Sequence, residues 1–381
     1  MRKILVSSGE ASGDLYASLV VEELRRLYPE ADFFGCTGPR LRAAGVRTVV
    51  DAGSLAVVGL FEVIAHIPRI YREYRKLLAA AAEGCPDLAI LTDSPDFHLR
   101  VARRLHRRGV PVVYLVAPQV WAWRKGRLPG MRRTIRQLLC IFPFEEAFFR
   151  AAGIPTTFIG HPLAGLIRPS LTREEFFLKH GLDPTRPLIA ALPGSRRGEA
   201  ARHLPALLDA VDRIDREMSV NVVLPASATT GAAFFEQRVS REGVKIIEGG
   251  SWDAMAHCDL ALAASGTVTV EAALLNAPMV TFYRVTPMTY RLGKMLVDVP
   301  YYSMVNLIAG RELVPELIQD DMTGEKLAAA SLRLLTDAGA RETQRRGLAE
   351  VAAQLSSRLG APQRAALAIQ DILEGQVTHA S

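Results

Sequence analysis

No stretch of this 381-residue sequence stays apolar for the ~18 residues that a membrane-spanning helix needs. It has no low-complexity tract and no short repeat, which argues against a disordered chain or a solenoid. Cysteine is scarce: Cys36, Cys85, Cys140 and Cys258, with no C-x-x-C pair. Buried, reduced thiols of the kind found in the cytosol are expected. Neither HExxH nor any paired His/Cys spacing occurs, so no metal site is expected. A Walker GxxxxGK[ST] and a clean GxGxxG are also missing, which weakens ATPase and ordinary dehydrogenase readings. The start, MRKILVSSGEASGD, turns polar after a short apolar core and reads as a first strand, not a signal peptide.

What is present is a globular composition, 49% hydrophobic and 23% charged, long enough for two domains. The net charge of +6 favours acidic partners: nucleic acid, anionic lipid or phosphorylated small molecules. An Arg-rich run spans Gly126–Gln137, but no recognised nucleic-acid-binding module surrounds it, so nucleic acid is not expected.

Short apolar runs alternate with amphipathic helical segments almost throughout. KILVSS, ADFFGC, LAILTD, VPVVYLVAP, QLLCIFPF and TTFIGH read as strands of a first domain. A Pro- and Gly-containing break falls at Gly160–Pro187. The rhythm then restarts with LIAALPGSR, VNVVLPAS, VKIIEGG, CDLALAAS and APMVTFYR. This alternation predicts an α/β protein of two doubly wound parallel-sheet domains, at 1–165 and 166–355, with a last helix in 356–381 that can cross back to the first domain. Parallel sheets bind ligands beyond the carboxyl ends of their strands, so two such domains facing across a cleft suit an enzyme that joins a nucleotide-bearing donor to a second substrate.

Three strand-to-helix turns carry the candidate chemistry. After LIAAL come Gly194, Ser195 and Arg196, then a helix; close backbone approach, a hydroxyl, a guanidinium and free helix N–H groups make a diphosphate cradle or simply a tight turn. After LALAA come Ser265, Gly266 and Thr267, with Glu271 one turn later. These suit phosphate and ribose hydroxyls, or Thr267 caps the helix. In the first domain SSGEASGD places Gly9, Glu10, Ser12, Gly13 and Asp14 at such a turn, with Asp14 suited to cap the helix. Asp93 follows LAILT at a strand's carboxyl end, where a carboxylate can take a proton from an attacking hydroxyl. Pro95 delays the next helix and Asp96 is expected as its cap. His98 is read as a packed or solvated residue.

Residues 57–80 carry a helix-period apolar stripe, including Leu60, Ile64 and Ile67, opposed by Arg69, Arg72, Arg75 and Lys76. It fits either core packing or contact with acyl chains and anionic lipid, and Pro68 argues for a kink or two short helices.

The pieces GEASGD, GCTGPRL, VVGLFEV, TDSPDFHLRVA, YLVAPQVWAWR, LCIFPFEEAFF, FIGHPL, LPGSRRGE, ASGTVTVEAAL, MVTFYRV and NLIAGRELVPELIQ run in order along nearly the whole chain. Together they resemble the lipid-A-disaccharide synthase family. The resemblance implies a GT-B architecture of two Rossmann-like domains. It also implies inverting transfer of diacylglucosamine from UDP to diacylglucosamine 1-phosphate, giving a β(1→6) disaccharide 1-phosphate and UDP, with no cofactor. It implies Asp93 as base for the acceptor 6-hydroxyl, Arg196 and Glu271 as donor-nucleotide contacts, and Asn306, Arg311, Glu316 and Gln319 as lining the same site. The family's apolar, membrane-facing patch falls on Val57, Val58, Leu60, Phe61, Ile64, Ile67, Arg69 and Arg72, which implies a cytoplasmic protein peripheral on the inner membrane. Many members have Asn where this chain has His98. A UDP-sugar epimerase of the same architecture and a non-catalytic lipid-binding protein are the alternative readings. Acyl length and oligomeric state, a homodimer included, stay open.

Overall fold

The computed structural model describes residues 1–55, 60–297 and 299–375; the side chains of residues 60–66, 292 and 294–296 lie outside the description. The chain divides into two compact units. Unit 1 comprises Met1–Gly165 and the segment from Leu355 onward, and unit 2 comprises Leu166–Gln354.

Unit 1 runs β1 (Lys3–Ser7), α1 (Ala11–Leu27), β2 (Asp32–Thr37), α2 (Pro39–Ala43), β3 (Arg47–Asp51), α3 (Leu60–Gly84), β4 (Leu88–Thr92), α4 (Pro95–His106), β5 (Val112–Leu115), α5 (Leu128–Thr134), β6 (Gln137–Cys140), α6 (Pro143–Ala151) and β7 (Thr156–Phe158). Unit 2 runs α7 (Arg173–His180), β8 (Leu188–Leu192), α8 (Arg197–Glu217), β9 (Asn221–Ala226), α9 (Ala232–Glu236), β10 (Val244–Glu248), α10 (Ser251–His257), β11 (Leu260–Ala264), α11 (Thr267–Leu274), β12 (Met279–Tyr283), α12 (Pro287–Leu296), α13 (Met304–Ala309), β13 (Glu316–Ile318), α14 (Gly324–Thr336) and α15 (Ala338–Leu355). Helix α16 (Ala361–Leu373) returns to unit 1. There Gln363 donates to Glu23 of α1 at 3.0 Å, and Arg2 donates to the Leu373 carbonyl at 2.9 Å.

Both sheets are parallel. Their orders are β3-β2-β1-β4-β5-β6-β7 and β10-β9-β8-β11-β12-β13. The central strands are apolar on both faces because helices cover both: every residue of LAILT in β4, LIAAL in β8 and LALAA in β11 is buried. In each sheet the order reverses between the first and fourth strands, β1/β4 in unit 1 and β8/β11 in unit 2. Connections leave in opposite directions there, so the loops part and leave a crevice at the carboxyl edge.

Two expectations are corrected by the fold, and two edge strands, β3 and β13, escape the sequence reading because β3 is mostly exposed and β13 only partly buried. Helix α3 continues through Pro68 as a single 25-residue element. Proline forfeits one backbone bond, and the remaining turns carry the helix past it. Pro95 does not delay α4. It occupies the first helical position, where its missing N–H has no partner to lose, after Ser94 in a left-handed conformation.

Candidate active site

At the strand-order reversal of unit 1, the loop after β1 meets the loop after β4. Asp93 and Ser94 both have positive φ, 53° and 37°. This bend turns the Asp93 carboxylate back toward β1. The amide of Gly9 donates to its Oδ1 at 2.9 Å, and the amide of Glu10 donates to its Oδ2 at 3.1 Å. A Cβ on Gly13 would lie 1.7 Å from Asp93 Oδ2, and one on Gly9 would lie 2.3 Å from Ser94 Oγ. The glycines of SSGEASGD therefore admit the acid of the neighbouring loop. The Asp93 side chain is only 12% exposed. Burial raises its pKa to about 7 against the opposing pull of hydrogen bonds from Ser94, Glu10 and Gly9. A carboxyl poised near neutrality is suited to exchange a proton.

The other acids nearby have different work. Asp14 is buried and does not cap its own helix. Its carboxylate accepts from the amides of Gly38 at 2.7 Å and Arg40 at 2.8 Å, so it binds the open N-terminus of α2. Asp96 is no cap either: it sits inside the first turn of α4, exposed, and pairs with Arg124 at 3.0 Å and with Arg127. Glu10 and Ser12 are exposed beside the Asp93 turn.

At the strand-order reversal of unit 2 the loops after β8, β9, β10 and β11 enclose a cavity of about 310 Å³. Gly194 and Ser195 line one side, Ser265, Gly266 and Thr267 another, and Glu271 a third. Gly194 has φ +118°, and a Cβ there would also press against Glu199 at 2.9 Å, so only glycine fits. Helices α8 and α11 begin at this cavity. Their first amides lack intrahelical partners, which favours an anion. Arg196 is the residue before α8, exposed and outside the cavity lining; its carbonyl accepts from the Ala200 amide, and its side chain has no hydrogen bond or ion pair among the described residues. Its guanidinium is available to a ligand.

Thr267 does not cap α11; Gly266 precedes the helix and Thr267 is its first residue. Glu271 instead accepts from the indole N–H of Trp252 at 3.3 Å, and burial raises its pKa. Sequence reasoning missed Glu199, Ser227, Gly249 and Ser251 in the lining. The last three follow β9 and β10, so the rule that pointed to Ser265 after β11 would have found them.

The four residues of NLIAGRELVPELIQ stand outside this cavity's lining. Asn306 is fully buried: its Oδ1 accepts from Leu313 and Val314, and its Nδ2 donates to the Val314 carbonyl and to Glu316. Glu316 also accepts from the amides of Tyr302 and Ser303. Gln319 exchanges two hydrogen bonds with the backbone of Val285. These three fasten the loops around β13. Arg311 is exposed and pairs with Glu350 at 2.9 Å. Of the expected lipid-facing residues, Val57 and Val58 lie outside the described residues. Leu60, Phe61 and Ile64 belong to α3, and their side chains are not described. Ile67, Arg69 and Arg72 are exposed on α3, as is Tyr71.

Two parallel sheets of this connectivity, each with its site at the strand-order reversal, define a GT-B-type α/β protein. The S. aureus MnaA–UDP co-structure aligns with a TM-score of 0.68 at 13% identity, covering 100% of this chain and 99% of that one. CalG4, the calicheamicin glycosyltransferase, aligns at 0.63 with 17% identity and 99% of both chains. At such identities the likeness is one of fold.

Residues 4–370 match the lipid-A-disaccharide synthetase family, and the chain belongs to it. The lipid-A-disaccharide synthase of Solibacter usitatus is 73% identical over 381 residues, the whole of both chains. That of Geobacter metallireducens is 43% identical over 359 residues, 93% of this chain and 94% of that one.

Proposed function

We propose that this hexosyltransferase forms the lipid A disaccharide with Asp93 as general base and the unit 2 cavity as the seat of the UDP donor. The donor is UDP-2,3-diacylglucosamine and the acceptor is 2,3-diacylglucosamine 1-phosphate. The acceptor 6-hydroxyl oxygen bonds to the anomeric carbon while the bond to UDP breaks, and Asp93 receives the hydroxyl proton. Attack opposite the leaving group inverts an α-linked donor to a β(1→6) product. The diphosphate gains negative charge as it departs. Arg196, Ser195 and the amides at the starts of α8 and α11 stabilise that charge, while Glu271 accepts from a ribose hydroxyl.

The observation that carries this reading is the Asp93 carboxyl, held by two backbone amides at the end of a buried strand and raised to about 7. Acceptor binding falls to the loops of unit 1. The exposed Ile67, Arg69, Tyr71 and Arg72 of α3 suit acyl chains and anionic headgroups at a membrane surface. No helix among the described residues is long and apolar enough to cross a membrane.

The test is mass spectrometry of products from purified protein with both diacylglucosamine substrates. Disaccharide 1-phosphate and UDP in equal amounts are expected. Epimer formation from UDP-N-acetylglucosamine alone would favour the epimerase alternative. Disaccharide formation undiminished in Asp93→Asn would remove Asp93 from the mechanism.

A further inference from the structure

We infer that His98 is a positioning residue for the base, locking the turn that carries Asp93 by donating a hydrogen bond to the Asp93 carbonyl from a neutral, fully buried imidazole. The inference rests on the assignment of Asp93 as base.

His98 lies one turn into α4 and has no exposed surface. Its Nδ1 is 3.0 Å from the Asp93 carbonyl oxygen, and its Nε2 is 2.7 Å from Ser7 Oγ at the end of β1. A carbonyl can only accept, so Nδ1 carries the proton. Nε2 is then the acceptor, and Ser7 donates to it. The same carbonyl receives a second donor, the Tyr114 hydroxyl of β5, at 2.6 Å. Two side chains from different elements thus pin one backbone oxygen, in a residue whose left-handed φ of 53° is uncommon outside glycine. With that carbonyl held, the carboxylate faces the amides of Gly9 and Glu10, which donate to it.

The neutrality of the ring matters as much as its bond. His98 Nδ1 is 3.8 Å from Asp93 Oδ1. An imidazolium at that distance would stabilise the carboxylate and weaken it as a base. Burial lowers the pKa of His98 to about 4, so the ring is uncharged when Asp93 titrates. The other titratable groups that face Asp93 are Glu10 at the start of α1, Cys36 of β2 and Tyr114 of β5. None of them is a cation.

Two amide substitutions separate this role from packing. In His98→Asn the amide nitrogen occupies the position of Nδ1 and keeps the donor to Asp93 while losing Ser7. In His98→Gln it occupies the position of Nε2 and keeps the contact with Ser7 while losing Asp93. The measurements are kcat, KM for the UDP donor and the pH profile of kcat/KM, on variants whose folding is checked by circular dichroism and thermal melting. His98→Asn is expected to stay within about threefold of wild type with the same acidic limb, since the bond to Asp93 survives. His98→Gln is expected to lose roughly 10–100-fold in kcat with KM unchanged. Its acidic limb moves to lower pH by roughly one unit as the freed carboxylate regains solvent. Tyr114→Phe, which keeps the volume and removes the second donor, should move the limb the same way by less.

A wild-type kcat and limb in His98→Gln would overturn the inference. So would equal impairment of both amide variants, or an unmoved limb in Tyr114→Phe should the His98 variants fail to fold. Asp93→Asn is measured alongside: full turnover there defeats the assignment of the base itself, which is a different result from an inert His98.

Discussion

The two units build two different candidate sites on one scaffold. Each sheet reverses its strand order between the first and fourth strands, and each places its candidate site there. In unit 1 the two loops close on each other: Gly9 and Gly13 give up their side-chain space to the Asp93 carboxylate, and the crevice is filled by an acid. In unit 2 the corresponding loops stay apart, and Gly194, Ser195, Ser265 and Gly266 leave a cavity of about 310 Å³ whose bordering helix starts present unpaired amides. The loops that open α8 and α11 set Gly194, Ser195, Ser265 and Gly266 at the reversal, with the acids Glu199 and Glu271 inside the helices that follow; on the proposed assignment this leaves the helix ends to a bound anion. In unit 1 an acid stands in the loop itself and accepts from the amides there, and it is the proposed base. Fold alone therefore does not assign the task; the side chains placed at the reversal do.

That contrast can be broken most directly at Asp93. Asp93→Asn is expected to lower kcat by about 10²–10⁴-fold while leaving UDP affinity, measured by calorimetry, as in wild type. Weakened UDP binding in that variant would mean that the two sites do not divide the work.

The same carboxyl carries a stability signature. It holds its proton more tightly folded than unfolded, because burial lifts its pKa from the ordinary 3.8 to about 7. Its contribution is therefore most favourable below the unfolded pKa and is lost as pH rises through about 7. Between pH 5 and 8 the stability of Asp93→Asn should gain on wild type by at most about 3 kcal/mol, read from denaturant melts.

Arg196→Ala tests the other side. With unit 1 untouched, kcat should fall by about 10²–10³-fold and UDP should bind less tightly. An effect on kcat with no effect on UDP would place the guanidinium on the departing charge alone.

Asn306→Ala sharpens the line between lining and support. It leaves the amides of Leu313 and Val314 without their acceptor. A loss of about 3 kcal/mol of stability is expected, with UDP affinity unchanged. Weakened UDP binding with an unmoved melting temperature would return Asn306 to the nucleotide site. The smallest effect belongs to Glu271→Gln, which should weaken UDP by about tenfold and reduce its preference over 2′-deoxy-UDP.

The parts of this design that were legible in the sequence are those encoded locally. A short, largely apolar run such as LAILT, set between helical patterns, reads as a strand buried on both faces, and an acid directly after it then stands at the carboxyl edge. The same logic reached Ser195 and Ser265. What stayed illegible depends on partners distant in sequence. Asp14 reads as a cap for the helix it opens, yet its bonds go to the amides of Gly38 and Arg40, 24 and 26 residues on. His98 reads as a lone histidine, because its partner Ser7 is 91 residues away. The strand β3 is mostly exposed and β13 has only three residues, all partly buried, so neither has the apolar signature of a central strand.

The return of α16 to α1 has a consequence for biogenesis. The ribosome completes every residue of unit 2 before it makes the helix that covers α1. Folding in order of synthesis then finishes unit 2 first. Unit 1 stays open on one face until the final helix emerges. On the proposed assignment, a chain stalled or clipped before Ala361 would keep the unit 2 cavity while unit 1 lacked the helix that covers α1.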